Sequence, residues 1–144
     1  MMERTRTYSY KVAGLTFSVI APVGIDIEAL LPSFKDFRAT SGEMSAPEPH
    51  RELLRLTLQA EPLEIPSDAK EVETDDNDMG HTRLLRTEDG RYCVELSGSR
   101  DGKVLGTFIA NALFSSVYAS IKTNAATAGS ILSSMLRIAF AQAV

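Results

Sequence analysis

Apolar and polar residues alternate along most of this chain, with the period of a strand. Tyr8, Tyr10 and Val12 share one side of a segment whose other side holds Thr7, Ser9 and Lys11, the pattern of a half-buried strand. Gly14 permits a turn. Leu15, Phe17 and Val19 then repeat the pattern as far as Pro22, so the chain opens with a β-hairpin around Ala13-Gly14. "LLRLTLQA" is the clearest strand, with Leu54, Leu56 and Leu58 on one face and Arg55, Thr57 and Gln59 on the other. "TRLLRT" is a weaker one. Glu88-Asp89-Gly90 is a hairpin signal, and "RYCVEL" returns with Tyr92, Val94 and Leu96 on one face. Asp101-Gly102 supplies a second such turn. "VLGTFIA" is apolar on both faces, as a central strand is. Val117, Ala119 and Ile121 alternate once more.

Three stretches break this pattern. In "GIDIEALLPSF", Asp26 caps a short helical turn through Leu30 and Leu31, which Pro32 stops. Phe34 and Phe37 follow at a spacing of three and are expected to plug the edge of the core. "RATSGEMSAPEPH", with Pro47 and Pro49, reads as a loop. Glu61 to Asp78 holds many carboxylates and one lysine, Lys70. It reads as a surface excursion with a short strand near Val72. Short turns between neighbouring strands imply antiparallel pairing.

From about Ala126 the period becomes helical. Ile131, Leu132, Met135, Leu136, Ile138, Ala139 and Phe140 spread over roughly half the circumference at about 100° per residue. Ser130, Ser133, Ser134 and Arg137 fill the narrower remainder, and Arg137 is the only charge from Asn124 onward. A helix lying on one sheet usually keeps a charged outer face, so this one is expected to be covered on more than one side. It reaches Val144 without Gly, Pro or a terminal basic residue, which fits a chain meant to continue. Ile131, Leu132, Met135, Leu136, Ile138, Phe140 and Val144 are therefore the expected interaction surface. The predicted fold is α+β, a mostly antiparallel β-sheet of about seven or eight strands with one C-terminal helix packed on it. That helix spans about residues 126–143, and the short helical turn lies near residues 26–31. Residues 1–144 form a single β-rich domain on this reading, which 144 residues can build without a metal or disulfide.

Composition narrows the function classes. The one cysteine, Cys93, rules out an internal disulfide. Net charge is -4 and the basic residues are dispersed apart from Arg4 and Arg6, so no nucleic acid is expected. The first residues lack the apolar region of a signal peptide, and no run reaches the length of a membrane span. The expectation is a cytoplasmic protein with no membrane partner.

Candidate chemistry fares poorly. "GSRDGKV" misses the phosphate-loop pattern: Gly98 is one residue too close to Gly102, and Val104 stands where a hydroxyl is required. An EF-hand aligned on Gly80 places Asp75 and Asn77 well, but puts Met79 and Arg86 on ligand positions. A looser divalent site among Asp75, Asp76 and Asp78 competes with a solvated acidic loop. His50 and His81 are the only histidines. A zinc site from Cys93, His81 and Asp78 has no supporting spacing. Cys93 reads as a partly buried strand residue on the polar side, beside Arg91 and Glu95. No catalytic, metal or cofactor set is expected, and the chain is read as not an enzyme.

Taken in order, "YSYKVAGLTFSV", "ALLPSFKDF", the Leu-rich strand, the Asp-Gly hairpin and "MLRIAFAQA" resemble the N-terminal region of HPr serine kinase-related proteins of Bacteroides-type bacteria. The resemblance covers nearly the whole chain, with "LLPSF" (Leu30 to Phe34) and the Met135–Ala143 helix its most suggestive pieces. In that family a β-rich N-terminal part runs through such a helix into a P-loop kinase-like domain, whose nucleotide loop has no counterpart here. The resemblance implies a non-catalytic N-terminal domain for domain packing, oligomerisation or recognition of a protein substrate. Its partner would be a downstream kinase-like domain or, by self-association through the last helix, a second copy. The competing reading is a freestanding β-rich module for a small ligand or protein. Its apolar pocket would lie between sheet and helix, near Phe17, Leu56, Tyr92 and Phe108.

Overall fold

A single mixed sheet organises the computed structural model of the chain, which describes residues 5–12, 14–37, 52–77, 80–99, 102–122 and 125–143. Its strands are β1 (Thr5–Val12), β2 (Leu15–Pro22), β3 (Glu52–Leu58), β4 (Lys70–Asn77), β5 (Gly80–Arg86), β6 (Tyr92–Ser97), β7 (Val104–Ala110) and β8 (Ser116–Ile121). The helices are α1 (Ile27–Leu30), followed by a 3-10 turn at Pro32–Phe37, and α2 (Ala125–Ala143). The fold is thus the α+β class expected, with one long C-terminal helix and a short helix near the start.

The strands lie in the order β1-β2-β3-β8-β7-β6-β5-β4. The strands from β4 to β8 form an antiparallel meander, because each is joined to the next by a short turn. At the β5–β6 turn Gly90 has φ +87° and at the β1–β2 turn Gly14 has φ +80°, a region open to glycine and costly for a side chain. The Thr87 N–H donates to the Arg91 carbonyl at 2.9 Å and closes the β5–β6 turn. Strand β3 departs from the meander logic and pairs in parallel with both β2 and β8. Parallel pairing needs a crossover of a dozen or more residues. The chain between β2 and β3 is that long and carries α1 and the 3-10 turn.

Alternation along each strand then sorts the side chains. Tyr8, Tyr10, Phe17, Val19, Leu54, Leu56, Leu58, Val94, Leu96, Phe108, Val117 and Ala119 are buried in one core, covered by α2 and, at the β1 side, by the 3-10 turn. Helix α2 lies over β3, β7 and β8 and also against α1. It sends Ile131, Leu132, Met135, Leu136 and Ala139 into this core. Each fully buried Leu or Met contributes about 1.5–3 kcal/mol of transfer free energy. Asp26 caps α1 as expected, its carboxylate accepting from the Ala29 N–H at 3.3 Å. Phe34 packs edge-on to Tyr10 and Phe17 at 6.1 and 6.0 Å between ring centres. Phe37 does not join this cluster; it is 43% exposed.

The opposite face of the sheet is crossed by the link between β3 and β4. Its Leu63 N–H donates to Ser120 Oγ at 3.0 Å, and its Asp68 carboxylate accepts from the Glu88 N–H at 2.9 Å. It therefore runs from β8 to the β5–β6 turn. Residues 61–69 of the acidic stretch belong to this link, and the short strand expected near Val72 is the eight-residue edge strand β4. Apart from the exposed Val72 it is polar on both faces, so alternation marks it only weakly, and its carboxylates are what an exposed edge needs to discourage pairing with another chain. The loop with Pro47, Pro49 and His50 lies outside the described residues, as do Arg4, Ala13, Asp78, Met79, Asp101 and Val144.

Candidate functional site

The residues expected to meet a partner divide into two groups. Ile131, Leu132, Met135 and Leu136 are buried against the chain's own sheet, which corrects their assignment to an interaction surface. The sheet supplies the apolar partner that the breadth of the arc suggested was missing. The extra breadth goes to α1 and the aromatic cluster: Gly129 sits against the Leu30 backbone, and Phe140 meets Phe17 at 5.9 Å. Ile138 and Phe140 are left half-buried along the seam between helix and sheet.

Two depressions open on that seam. One, of about 80 Å³, is walled by Phe17, Phe34, Leu136, Arg137 and Phe140. The other, of about 130 Å³, is lined by Gly80, His81, Thr82, Leu96, Ser97, Ile131, Ser134, Arg137 and Ile138. The first is aromatic and aliphatic apart from Arg137. The second mixes hydroxyls and strand-end backbone with two isoleucines. Arg137 belongs to both walls. Its side chain is exposed and has no ion-pair or hydrogen-bond partner among the described residues. Sequence reasoning noted Arg137 only as the lone charge of the helix. The available signal was the isolation of one cation in an otherwise uncharged element. Of the four residues expected to line a pocket, Phe17 lines the aromatic depression. Leu56 and Phe108 are fully buried in the core, and Tyr92 stacks on Phe114 at 5.3 Å.

The other candidates lie on the far face. His81 pairs in register with Asp76 on β4 and Ser97 on β6. The His81 Nδ1–H donates to Asp76 Oδ1 at 2.7 Å. Alternation places the ring opposite Thr82 and Leu96, which face α2, so His81 lines the second depression through its backbone. Cys93 shares the far face but sits four residues along β6 from Ser97, or about 13 Å at the strand rise. Asp78 lies outside the described residues. The proposed His81–Cys93 pair is therefore not brought together. Asp75 and Asp76, adjacent on a strand, point to opposite faces. Among the described residues no three His, Cys, Asp or Glu side chains come together in a way that would hold a metal.

Cys93 is fully buried rather than partly so. Its neighbours in register are Leu85 and Ile109. Burial pushes its thiol pKa up, the nearby carboxylates of Asp68, Glu95 and Asp89 add to the rise, and Arg91 opposes it. That is the reverse of what a nucleophilic thiolate requires. Arg83 forms a cross-strand bridge on this face, donating to Glu71 at 2.7 Å and to Glu95 at 2.9 Å. Those two hydrogen bonds hold its guanidinium pKa above the ordinary value.

No protein-family model, curated protein or solved structure matches the chain. Among the described residues no helix is long and apolar enough to cross a membrane.

Proposed function

We propose that this chain is a non-catalytic recognition and packing domain, of the kind that stands before the kinase domain in HPr kinase-related proteins, and that it works in the cytoplasm. The observation that carries the recognition part is the seam. Two depressions flank one cation, Arg137, unpaired among the described residues, on a helix whose remaining apolar residues are already engaged by the sheet. Support for the kinship is the sequence resemblance, together with the presence, in its order, of the opening hairpin, the α1 turn, the Leu-rich strand, the Gly90 hairpin and the closing helix. The domain would contribute binding surface, and the phosphoryl-transfer residues would belong to a separate P-loop domain.

Genomic context tests the kinship. The reading frame of this chain, or a gene beside it, should encode a Gly-x-x-x-x-Gly-Lys-Ser/Thr loop in a kinase-like domain. That domain, produced separately, should bind the chain in a sedimentation or calorimetric titration. A transcription unit without such a loop overturns the kinship. A second reading, a freestanding binding module, is favoured by the same two depressions. It predicts a reproducible rise in melting temperature with some member of a metabolite or peptide panel.

A further inference from the structure

The two depressions, at about 80 and 130 Å³, are each smaller than the roughly 300–1,000 Å³ usual for a compact small-molecule site. They are of the size that takes one side chain apiece. They lie on either side of Arg137, which both share. A linear occupant can lay one group in each depression as it passes over the helix, whereas a compact one cannot. The aromatic depression, walled by Phe17, Phe34, Leu136 and Phe140, selects an apolar side chain by desolvation. Arg137 is a cation without a carboxylate partner among the described residues, and its planar fork matches a carboxylate. No other charge stands on α2. From this complementarity we infer that the seam binds an extended peptide segment carrying an apolar side chain and, two residues away on the same face, a single carboxylate.

The single carboxylate follows from the rest of the molecule. The chain carries a net charge of -4, so a run of acidic residues gains one favourable pairing at Arg137 and meets repulsion from the remainder. The site thus selects one acid in an apolar setting over a polyacidic tail. This inference rests on the recognition part of the reading above. It is independent of the kinship, because its test uses the isolated chain and no genomic context.

The test is a ¹⁵N NMR titration with short acetylated, amidated peptides. Gly-Leu-Gly-Glu-Gly, whose Leu and Glu share one face when extended, should bind in the millimolar range, with shifts confined to the residues around Phe34, Gly80–Thr82 and Ser134–Phe140. Gly-Leu-Gly-Gln-Gly should bind about threefold more weakly, the scale of an exposed ion pair. Gly-Ala-Gly-Glu-Gly should bind more weakly still, and Glu-Glu-Glu-Glu should show no saturable shift at the seam. The exposed substitution Arg137→Gln should weaken Gly-Leu-Gly-Glu-Gly to the level of Gly-Leu-Gly-Gln-Gly and leave the latter unchanged. Arg55→Gln, exposed on the far face, should alter neither. Equal binding of the Glu and Gln peptides to the parent chain overturns the inference, as do shifts that map away from the seam. So does broadening of seam resonances on raising protein concentration without peptide, which would make the seam a self-association surface.

Discussion

Cys93 shows how a neighbourhood sets the behaviour of one side chain. Leu85 and Ile109 flank it in the sheet, and Asp68 comes close enough from the β3–β4 link to act on its charge. The thiol pKa in the fold is raised above that of an unfolded thiol, about 8.5. A group raised in this way keeps its full contribution to stability below the unfolded value. The contribution is lost as pH rises above that value, because the unfolded chain releases the proton first. Urea midpoints should therefore drop between about pH 8 and pH 10 in the parent, and less steeply in Cys93→Ala. A thiol reagent at pH 8 should modify the folded chain far more slowly than the chain in denaturant. Rapid modification of the native protein would remove this account. Cys93→Ser should cost about 1–3 kcal/mol, the desolvation cost of a buried hydroxyl without a partner.

Elements are fixed in this molecule by close approach as much as by pattern. A Cβ on Gly129 would stand 2.6 Å from the Leu30 carbonyl oxygen, and one on Gly106 would stand 2.6 Å from Ile131 Cγ2 and from Met135 Cε. The first obstacle is backbone. The second is side chain, although Ile131 and Met135 are both packed in the core. Helix propensity alone predicts that Gly129→Ala stabilises α2 by about 1 kcal/mol. The contact predicts the opposite sign, because α1 or α2 must move. Gly129→Ala should lower the melting temperature, and Gly106→Ala should cost about 1–3 kcal/mol as an overpacking change. A stabilised Gly129→Ala variant would mean that α1 is not held where the structure places it. At the other edge, Arg83 bridges β4 to β6 from β5 through Glu71 and Glu95. Its side chain is partly exposed, so Arg83→Gln should cost no more than about 1 kcal/mol. The loss should shrink in 1 M salt.

These elements also show what the sequence could and could not disclose. Strands with one dry and one wet face, such as β1, β3 and β8, announce themselves, because burial and alternation coincide. Helix α2 was legible for the same reason, as was the Asp26 cap. Strand β4 was legible only as a short strand near Val72, because an edge strand kept polar to prevent aggregation weakens the signal that would set its length. The parallel insertion of β3 was hidden, since adjacency between β3 and β8 depends on the path of the whole chain. At the candidate site, the breadth of the apolar arc was legible and its use was not. Periodicity reports how much of a helix is dry, and only packing shows that Ile131, Leu132, Met135 and Leu136 are dry against this chain's own sheet. Phe17, Phe34 and Arg137 come from three separate elements, and no local spacing could have joined them.

At the scale of the whole molecule, β3 is the joint. On one side lies the β1–β2 hairpin and on the other the five-strand meander. Each touches β3 through parallel pairs such as Val19↔Leu56 and Leu56↔Val117. Leu56 is fully buried under α2. The hairpin's route into the sheet therefore runs through β3, whose two partners come from distant parts of the chain. Loop-closure entropy must be met before either pairing stabilises the fold, so folding should be slow for the size and unfolding should be all-or-none. The tyrosines make this measurable: the chain has no tryptophan, Tyr8 and Tyr10 report from β1, and Tyr92 and Tyr118 report from the meander. Variants keeping only one of these pairs, the others changed to Phe, should give coincident urea transitions by tyrosine fluorescence. Those transitions should also coincide with the loss of circular dichroism. Leu56→Ala should move every probe together by about 2–5 kcal/mol, the range for a large-to-small change in a packed core. If the β1 reporters melt first and the meander persists, β3 does not couple the two parts, and the sheet is cooperative only from β3 to β4.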